Sequence, residues 1–500
     1  MAEPVTPAEF IDRHPAELIR RLRQLVGIST VNPPGENYAA ITAALVVELE
    51  SLGMKTRRYA VPAALLRRSL PPEHRRFPRF NVLGLLPVRG AKKTIHFNAH
   101  YDVVPVSGRW KHGSPFSGAI DGGWIYGRGT SDMKGSIASL LTALRALRAA
   151  GVTPRMNLEV SFTADEETDS ALGTGWLVQH APIRPDFAVV MEGGERNQVC
   201  CGHNGVVWLE VTVHGRAAHG SRPELGVNAF EKMAALVLAL EGGKKKLARR
   251  TWVTPEGKTM RPTINLGGVF GSGEGAKINT VPGQASFTID RRVLAVEDHA
   301  AAERELRSAL AAAARTVPGC RISVRKISEN FACFTPPTHP FFSAVAASVA
   351  RVRREPTVFN VSTGFNDMHF FASELKIPTA GYGPGGRKEH AVDESAKVKE
   401  LLASAKIYAD LLTSFAGCAA KHLPWIFPGA ARRNQRRRRG NGRKKAQKSE
   451  GGQGPQGAYR RADNARRPDG YFLRLFAANN GFAAWVHFIG AWMLELGASA

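Results

Sequence analysis

Apolar residues follow two alternating patterns over most of this 500-residue chain. Short apolar runs of strand length are separated by stretches in which apolar residues recur at helical spacing. The predicted strands cover residues 81–86, 94–99, 158–164, 187–191 and 378–386, the last of which includes a glycine loop. The predicted helices cover residues 9–24, 38–52, 136–144 and 396–415. Strands and helices that alternate in this way predict an α/β domain with a mostly parallel central sheet.

A segment of different character interrupts this pattern at residues 206–328. It combines half-exposed strands with an alanine-rich helix, which predicts a smaller α/β sandwich inserted into the first domain. The expected organisation is therefore a main domain in two parts, 1–205 and 329–427, followed by a basic tail at 428–500. Residues 60–80 are rich in Pro and Arg and predict a surface insertion with no assigned function.

The net charge of +25 is concentrated near the carboxyl end. Residues 431–500 carry 15 Lys and Arg against four Asp and Glu, so the body of the chain is only moderately basic. We consider three interpretations of residues 428–500: an inert, disordered extension, a tether to nucleic acid or a membrane surface, and a reading-frame artefact. The first and the last are favoured, because the basic run lacks interleaved aromatic residues.

Composition also indicates a reducing compartment. The five cysteines are scattered and odd in number, which predicts neither a disulfide framework nor a thiolate zinc site. The first 18 residues mix charges with prolines and show no apolar signal segment. No uninterrupted apolar run is long enough to span a bilayer. These features predict a cytoplasmic protein.

Candidate chemistry gathers where predicted strands end. The acids and histidines at such positions are His100 and Asp102, Asp165 to Glu167, Glu192, and Asp132 in the glycine-rich loop 127–135. Functional groups collect at the carboxyl ends of strands in an open α/β sheet, so we expect these side chains to lie together. A further candidate ligand is His390, which follows another glycine loop. Asp, Glu and His without cysteine favour zinc, cobalt or manganese at a hydrolytic site over a structural zinc site.

Each of these signals has a simpler interpretation when taken alone. Asp132 just before a helix is typical of a helix cap, and His100-x-Asp102 is typical of an exposed polar pair. His219, within the insertion, is typical of a surface or capping histidine. Acids or histidines recur at three strand ends and in the glycine-rich loop, and this recurrence outweighs the simpler interpretations for the main domain.

Together, the motifs occur in the order found in one superfamily. They are His100-x-Asp102, Gly127 to Gly135, Asp165-Glu166-Glu167, Glu192, Ala218 to Pro223 and Glu389-His390. Over residues 10–415 the chain resembles the co-catalytic-zinc aminoacylase and carboxypeptidase superfamily, which includes acetylornithine deacetylase and succinyl-diaminopimelate desuccinylase. The resemblance implies that the main domain is a three-layer α/β catalytic domain. It also implies that the insertion is a lid through which the chain forms a homodimer.

The resemblance further implies two divalent metal ions per chain, most simply zinc, with cobalt or manganese as alternatives. The implied ligands are Asp132 as the bridge, His100 and Glu192 at one site, and Glu167 and His390 at the other. Glu166 would act as the general base, and Asp102 would orient His100.

Three residues of the insertion also have implied roles. His219 would reach the active site of the neighbouring subunit and stabilise the oxyanion. Asn279 and an arginine would hold the carboxylate of the substrate, and spacing favours Arg292 over Arg291.

One departure from the family pattern is His369, which stands where a family loop commonly has arginine. A succinylated substrate is therefore less expected.

The leading interpretation is a di-metal hydrolase that cleaves the amide bond of an N-acyl amino acid or a similar small, carboxylate-bearing substrate. A metallo-carboxypeptidase or dipeptidase is the alternative within the same class. A different class is a non-catalytic scaffold tethered to nucleic acid or a membrane through the basic tail. The complete set of candidate ligands argues against that last hypothesis.

Overall fold

A computed structural model describes residues 5–273 and 275–418 of the chain. The α-helices are α1 Pro7–Arg13, α2 Pro15–Gly27, α3 Tyr38–Ser51, α4 Ala63–Ser69, α5 Lys134–Ala149, α6 Thr174–His180, α7 Ala229–Ala239, α8 Glu241–Leu247, α9 His299–Thr316, α10 Pro340–Arg353 and α11 Val398–Ser414. The strands are β1 Lys55–Ala60, β2 Phe80–Leu86, β3 Thr94–His100, β4 Ala119–Asp121, β5 Trp124–Tyr126, β6 Asn157–Thr163, β7 Phe187–Val190, β8 Gln198–His203, β9 Gly205–His214, β10 Ala218–His219, β11 Trp252–Val253, β12 Thr259–Met260, β13 Thr263–Ser272, β14 Thr280–Val281, β15 Gln284–Val293, β16 Arg321–Asn330, β17 Cys333–Phe334, β18 Val358–Ser362, β19 Thr379–Gly381 and β20 Ser395–Lys397. The predicted tail at 428–500 lies outside the described residues.

The central sheet has the strand order β1-β2-β6-β3-β7-β19-β8-β17, with β18 paired to β8. Strands β6, β3, β7 and β19 are parallel neighbours. Strand β2 pairs antiparallel with β1 and β6, and β8 pairs antiparallel with β19 and β17. Most strands therefore run in one direction, and the predicted α/β fold with a mostly parallel central sheet is confirmed.

Helix α5 lies at the centre of the helical layer on this sheet. Every residue from Lys134 to Leu144 is buried, and the helix packs against α2 and α11. A helix that is buried on all sides cannot shift without disturbing its close-packed neighbours. The loop that enters α5, which carries Asp132, therefore has a rigid anchor.

The predicted helix at 9–24 is wrong in one respect, because two helices occupy this stretch. Helices α1 and α2 meet at His14, and Pro15 takes the first position of α2. Proline has no N–H to donate, and its ring clashes with the preceding turn of a helix. The break between α1 and α2 therefore follows from Pro15, which a prediction based on apolar periodicity does not take into account.

The inserted segment forms an antiparallel sheet in the order β13-β15-β9-β16, and helices α7 and α9 share its apolar core. Strand β9 alternates buried and half-exposed residues, as its sequence pattern predicts. Strand β13 forms one edge of the sheet and is exposed along its second half. The predicted insertion at 206–328 corresponds to the stretch between the start of β9 and the end of β16. Its standing as a separate domain stays a prediction.

The interpretation of residues 60–80 as a surface insertion is wrong at both ends of the segment. Val61 and Leu66 are buried in a small apolar cluster with Trp176. Arg79 is only 1% exposed, and its guanidinium forms an ion pair with Asp165. Proline and arginine are usually exposed, so composition alone pointed to the surface.

All five cysteines are free, and Cys200, Cys201 and Cys333 are buried. Across residues 5–273 and 275–418, none of the helices combines the length and the apolar character that crossing a bilayer requires.

Candidate metal centre

The carboxyl ends of three parallel strands bring the predicted acids and His100 together. His100, the last residue of β3, pairs in register with Thr163, the last residue of β6. Strand β7 neighbours β3 on its other side. The chain leaves β6 into residues 165–167 and leaves β7 toward Glu192. The sheet itself therefore places these side chains at one edge.

Asp132 lies at the centre of the candidate ligands. His100 Nε2 lies 2.9 Å from Asp132 Oδ1, and His390 Nε2 lies 3.2 Å from Asp132 Oδ2. His390 Nε2 is also 3.0 Å from Glu167 Oε2. Two groups have ligand atoms that all lie within 4.8 Å of one another: His100, Asp132 and Glu192, and Asp132, Glu167 and His390. The two groups share Asp132, as expected for adjacent metal sites with one bridging carboxylate.

The donors in both groups suit divalent cations. Among the described residues, Glu167 Oε1 and Glu192 Oε2 are buried and lack a hydrogen-bond partner. An unpaired buried carboxylate oxygen is costly, and a bound cation would satisfy it. Imidazole together with carboxylate is a donor set that suits zinc, cobalt or manganese. The residues present therefore fit a pair of such ions.

Crowding at this edge changes the protonation of the candidate ligands. Burial, and then the negative charge of Asp132, raises the pKa of Glu192 to about 8. Hydrogen bonds to Asp132 and Glu167 raise the pKa of His390 to about 10. Burial alone would raise the pKa of Asp132, but hydrogen bonds from His100 and His390 hold it below its usual value. Protons on Glu192 and His390 must leave when cations bind.

Glu166 belongs to neither ligand group, although it lies beside them. Its Oε2 atom is 3.9 Å from His100 Nε2, and its side chain is 13% exposed. Burial raises the pKa of Glu166 well above its ordinary value, His100 opposes this shift, and the charge of Glu192 adds to it. A carboxylate that is close to the ligands but free of them can accept a proton near neutral pH.

Asp102 supports both His100 and the loop that carries Glu166. His100 Nδ1 lies 3.0 Å from the backbone oxygen of Asp102 and 3.5 Å from its Oδ1. The carboxylate of Asp102 accepts hydrogen bonds from the backbone N–H groups of Glu166, at 3.1 Å, and Glu167, at 3.2 Å. The two hydrogen bonds from these N–H groups were not predicted from the sequence. It ties the orientation of the imidazole to the position of the two glutamates.

A residue that the sequence analysis missed, Glu394, holds the glycine-rich loop. It is fully buried, and its carboxylate accepts backbone hydrogen bonds from Gly129 at 3.0 Å, Ser131 at 2.9 Å and Asp132 at 3.1 Å. It also forms an ion pair with Arg128 at 2.6 Å. These contacts fix the backbone at Asp132, and with it the direction of the carboxylate that the two ligand groups share.

Asp367 is a second missed acid, and it is also buried. It accepts hydrogen bonds from the hydroxyl groups of Ser170 and Thr174, the latter at 2.5 Å. The hydroxyl of Thr174 also lies 2.9 Å from that of Thr163, the last residue of β6, so Asp367 lies close to the strand end that carries the candidate centre. The sequence analysis had singled out the loop that contains Asp367, but for a different residue.

That residue, His369, is buried. Its exposure is 3%, and its Nδ1 lies 2.8 Å from the backbone oxygen of Asn366. Burial, and then the nearby ring of His203, lowers the pKa of His369 to about 3. The imidazole is therefore neutral at physiological pH, and it cannot act as the cation that an arginine would provide.

The candidate residues of the insertion do not join this cluster. His219 is exposed, and its Nδ1 lies 2.7 Å from Ser221 Oγ. Asn279 is also exposed and lies near His219, because its backbone oxygen accepts a hydrogen bond from Gly220 at 2.7 Å. Among the described residues, no hydrogen bond or ion pair connects either side chain with the candidate metal ligands.

The two arginines of β15 differ in accessibility. Arg291 is buried, and its guanidinium lies 3.0 Å from Glu297. The side chain of Arg292 is 34% exposed and forms an ion pair with Asp290 at 3.0 Å. Arg292 is therefore the more accessible of the two, and its role in holding a substrate stays a prediction.

Comparison with known sequences gives a consistent result. The sequence model of Peptidase family M20/M25/M40 matches residues 96–414. A succinyl-diaminopimelate desuccinylase from Acidiphilium cryptum is 30% identical over 349 residues, which cover 67% of this chain and 87% of the relative. An acetylornithine deacetylase from Proteus mirabilis is 28% identical, over 80% of this chain and 96% of the relative. A Bacillus subtilis N-formyl-4-amino-5-aminomethyl-2-methylpyrimidine deformylase is 27% identical and covers 82% and 97%.

Solved structures show the same fold. An M20 family metallo-carboxypeptidase from Sulfolobus solfataricus superposes with a TM-score of 0.63 at 20% identity, over 79% of this chain and 98% of that one. Human carnosine dipeptidase 1 superposes with a TM-score of 0.60 at 16% identity, over 82% and 99%. At these identities the likeness concerns the fold alone.

Proposed function

The chain belongs to peptidase family M20/M25/M40, and on this premise we propose that it is a two-metal amidohydrolase. The proposed reaction removes the acyl group from an N-acyl amino acid or a similar small, carboxylate-bearing molecule. The observation that carries the proposal is the pair of ligand groups that share Asp132, with Glu166 beside them. The names of three relatives, a desuccinylase, a deacetylase and a deformylase, support a deacylase.

The proposed ligands of one cation are His100, Asp132 and Glu192, and those of the other are Asp132, Glu167 and His390. Zinc is the proposed ion, with cobalt or manganese as substitutes. A pair of bound divalent cations supplies Lewis acidity, which lowers the pKa of water and polarises the scissile carbonyl. The protein contributes fixed ligand directions, because Glu394 holds the backbone at Asp132 and Asp102 holds that of Glu167.

Glu166 is the proposed general base. It takes a proton from the attacking water at its carboxylate and then gives that proton to the nitrogen of the leaving amine. Its burial and the surrounding acids raise its proton affinity, which suits a group that must both accept and release a proton near neutral pH.

The lid residues are proposed to act across a homodimer. His219 would stabilise the oxyanion in the partner's site, while Asn279 and Arg292 would hold the substrate carboxylate. An exposed apolar patch supports such a dimer: Phe230, Leu238, Val269 and Phe270 are 56%, 73%, 70% and 70% exposed. The patch includes the edge strand β13, whose unpaired backbone groups can pair with a second copy.

The acyl group is proposed to be short and uncharged. A succinyl group carries a carboxylate that needs a cationic partner, and His369 is buried and neutral. We therefore expect acetyl or formyl substrates to be hydrolysed at least about tenfold faster than succinyl substrates, which corresponds to one charge-assisted hydrogen bond.

The test is a hydrolysis screen of purified protein whose metal content has first been measured. N-acetyl, N-formyl and N-succinyl amino acids and a set of dipeptides are incubated with the protein in the presence of zinc or cobalt. About two zinc ions per chain and release of free amino acid from the acetyl or formyl compounds are the expected results. Cleavage of dipeptides alone would favour the peptidase alternative, and a metal-free, inactive protein would favour a non-catalytic scaffold.

A further inference from the structure

A buried ion pair lies directly behind the loop that carries Glu166 and Glu167. Arg79 Nε lies 2.8 Å from Asp165 Oδ2 and 3.2 Å from Oδ1. The two side chains are 1% and 4% exposed. Arg79 comes from the Pro- and Arg-rich segment 60–80, and Asp165 directly precedes Glu166.

The guanidinium of Arg79 is held on several sides. Its Nη1 donates to the backbone oxygen of Phe77 at 2.8 Å, and its carbon atom Cζ lies 5.4 Å from the centre of the Tyr38 ring. Gly35 packs against it so closely that an added Cβ would lie 2.6 Å from Nη1. Gly35 also has a φ of 97°, which favours glycine. The position of Arg79 is therefore closely defined.

Asp165 receives two further hydrogen bonds from the same side. Tyr38 Oη donates to Asp165 Oδ1 at 2.9 Å, and Asn32 Nδ2 lies 3.1 Å from the same oxygen. Asn32 Nδ2 also lies 3.0 Å from Asp102 Oδ2 and 2.9 Å from Thr168 Oγ1. Asn32 thus connects the two buried aspartates that precede and support the glutamates.

The backbone at Asp165 has a left-handed conformation, with φ of 59°. Its oxygen accepts hydrogen bonds from the N–H groups of Thr168 and Ser170 at 3.2 and 2.7 Å. The chain therefore turns sharply at Asp165, and the turn presents Glu166 and Glu167 to the metal centre. A small rotation at Asp165 would displace both carboxylates, because they follow it directly.

Stability alone does not account for this ion pair. A buried pair is often no more stabilising than apolar side chains of similar volume, because both charges lose their hydration. The site lies at the carboxyl end of β6, where a rigid turn is needed most. We propose that Arg79 is a positioning residue that sets the place of Glu166 and Glu167 through Asp165. The inference rests on the roles proposed above for those two glutamates.

A neutral replacement of the whole pair separates positioning from stability. In the double variant Arg79→Met/Asp165→Asn no buried charge is left unpaired, and asparagine tolerates the left-handed backbone conformation. The matched control is Arg21→Met, which breaks the largely buried pair of Arg21 with Glu48 in the helical layer. Stepwise zinc binding to the metal-free proteins, thermal unfolding and steady-state kinetics are measured for all three proteins.

We expect the double variant to keep a melting temperature within a few degrees of wild type, since the neutral pair is close in volume. Its kcat should fall by about 10- to 100-fold with KM nearly unchanged, and its affinity for one of the two zinc ions should fall by a similar factor, because Glu167 belongs to one ligand group only. The control should change the melting temperature and leave both zinc affinities and kcat close to wild type. If the double variant does not fold, Arg79→Lys is measured in the same way and should show the same losses in smaller degree.

Wild-type zinc affinities and kcat in a folded variant would overturn the positioning role while leaving the proposed function intact. A wild-type protein that binds no zinc would instead overturn the proposed function, and the positioning role with it.

Discussion

Two groups of polar residues in this molecule differ in how completely they are assembled. The candidate ligands at the sheet edge come from segments far apart in the chain, yet Asp132 lies within 2.9 to 3.2 Å of both His100 and His390. In the insertion, by contrast, His219 contacts its own neighbour Ser221, and Arg292 contacts Asp290 two residues away. The first group is assembled within one chain, and the second presents its side chains to a surface.

The difference teaches which part of the proposed chemistry a single chain can supply. Buried partners orient the candidate ligands and the proposed base before any substrate arrives, which is the condition for electrostatic preorganisation. The candidate side chains of the insertion have no such target within the described residues, so their proposed roles depend on a second copy. The two groups should therefore respond differently to mutation, to pH and to dilution.

Loss of the proposed base, Glu166, should give the largest effect on the group that is assembled within one chain. Glu166→Gln should lower kcat by roughly 100-fold or more while folding and zinc content stay close to wild type, because the amide cannot accept the proton. Glu167→Gln should instead weaken zinc binding. Kinetics and metal analysis of both variants provide the measurement. Equal activity and equal zinc content in the two would contradict the division of roles between neighbouring glutamates.

Zinc binding should depend on pH, because the same group is crowded with acids. Below pH about 8 Glu192 holds a proton, and below about 10 so does His390. Since the pKa of Glu192 is raised on folding, its proton stabilises the metal-free protein at low pH, and this contribution is lost as pH rises from about 4.5 to about 8. Zinc must displace these protons, so its affinity should rise by about tenfold per pH unit for each proton released.

The measurement for this second prediction is the difference in melting temperature between zinc-loaded and metal-free protein at pH 5.5, 6.5 and 7.5. Using a difference cancels groups whose protonation the metal does not change, such as the buried His203. The increase in melting temperature that zinc produces should become larger as the pH rises. The control variant Glu192→Gln should bind zinc more weakly and show a shallower increase, and a gain that falls with pH would contradict the assignment.

The incomplete group can be tested by mixing two inactive proteins. If His219 acts across a dimer, His219→Ala and Glu166→Gln should complement each other, because a hybrid dimer has one site with an intact base and an intact partner histidine. With random exchange and independent sites, activity should approach about a quarter of wild type. Subunit exchange is verified separately by mass. Lack of recovery in exchanged dimers would mean that one chain completes its own site.

The smallest effect is expected from residues outside both groups. Removal of the tail after Pro428 should leave folding, dimerisation and zinc content intact and should change kcat/KM by less than about threefold, under ~1 kcal/mol. Binding to DNA or anionic vesicles, if it occurs, should follow the tail and weaken steeply with salt. A large loss of kcat in a soluble, zinc-loaded truncation would show that the tail contributes to the active site.

Local sequence patterns were sufficient for much of the fold. The α/β class, the family and the hydrolytic nature of the enzyme were predicted and are confirmed. The strand predicted at 94–99 extends by one residue to His100, and the helix predicted at 38–52 ends at Ser51. Apolar periodicity carries the fold class, because it is a local property of the chain, whereas the family was recognised from the resemblance of several motifs that occur in the family's order. The individual roles of the site residues stay predictions.

Long-range partners could not be predicted in the same way. Arg79 and Asp165 are 86 residues apart, and Glu394 is 265 residues from Gly129. Nothing in the local composition distinguishes Arg79 from the exposed arginines around it. Glu394 stands four residues after the candidate ligand His390, and this proximity was the one weak indication in the sequence that it belongs to the site. Such contacts depend on the complete tertiary structure. A single sequence shows which residues are present, but not which distant residues form pairs.

The position of Glu394 along the chain has a consequence for synthesis of the protein. The N–H groups of Ser131 and Asp132 find their acceptor 263 and 262 residues later. While the chain emerges from the ribosome, every proposed ligand except His390 is exposed to the cell before that acceptor exists. Glu394 cannot hold the glycine-rich loop until the chain has been translated beyond β19, the last strand of the central sheet. Metal acquisition should therefore follow the translation of Glu394, and a ribosome stalled before Glu394 should display an unloaded protein.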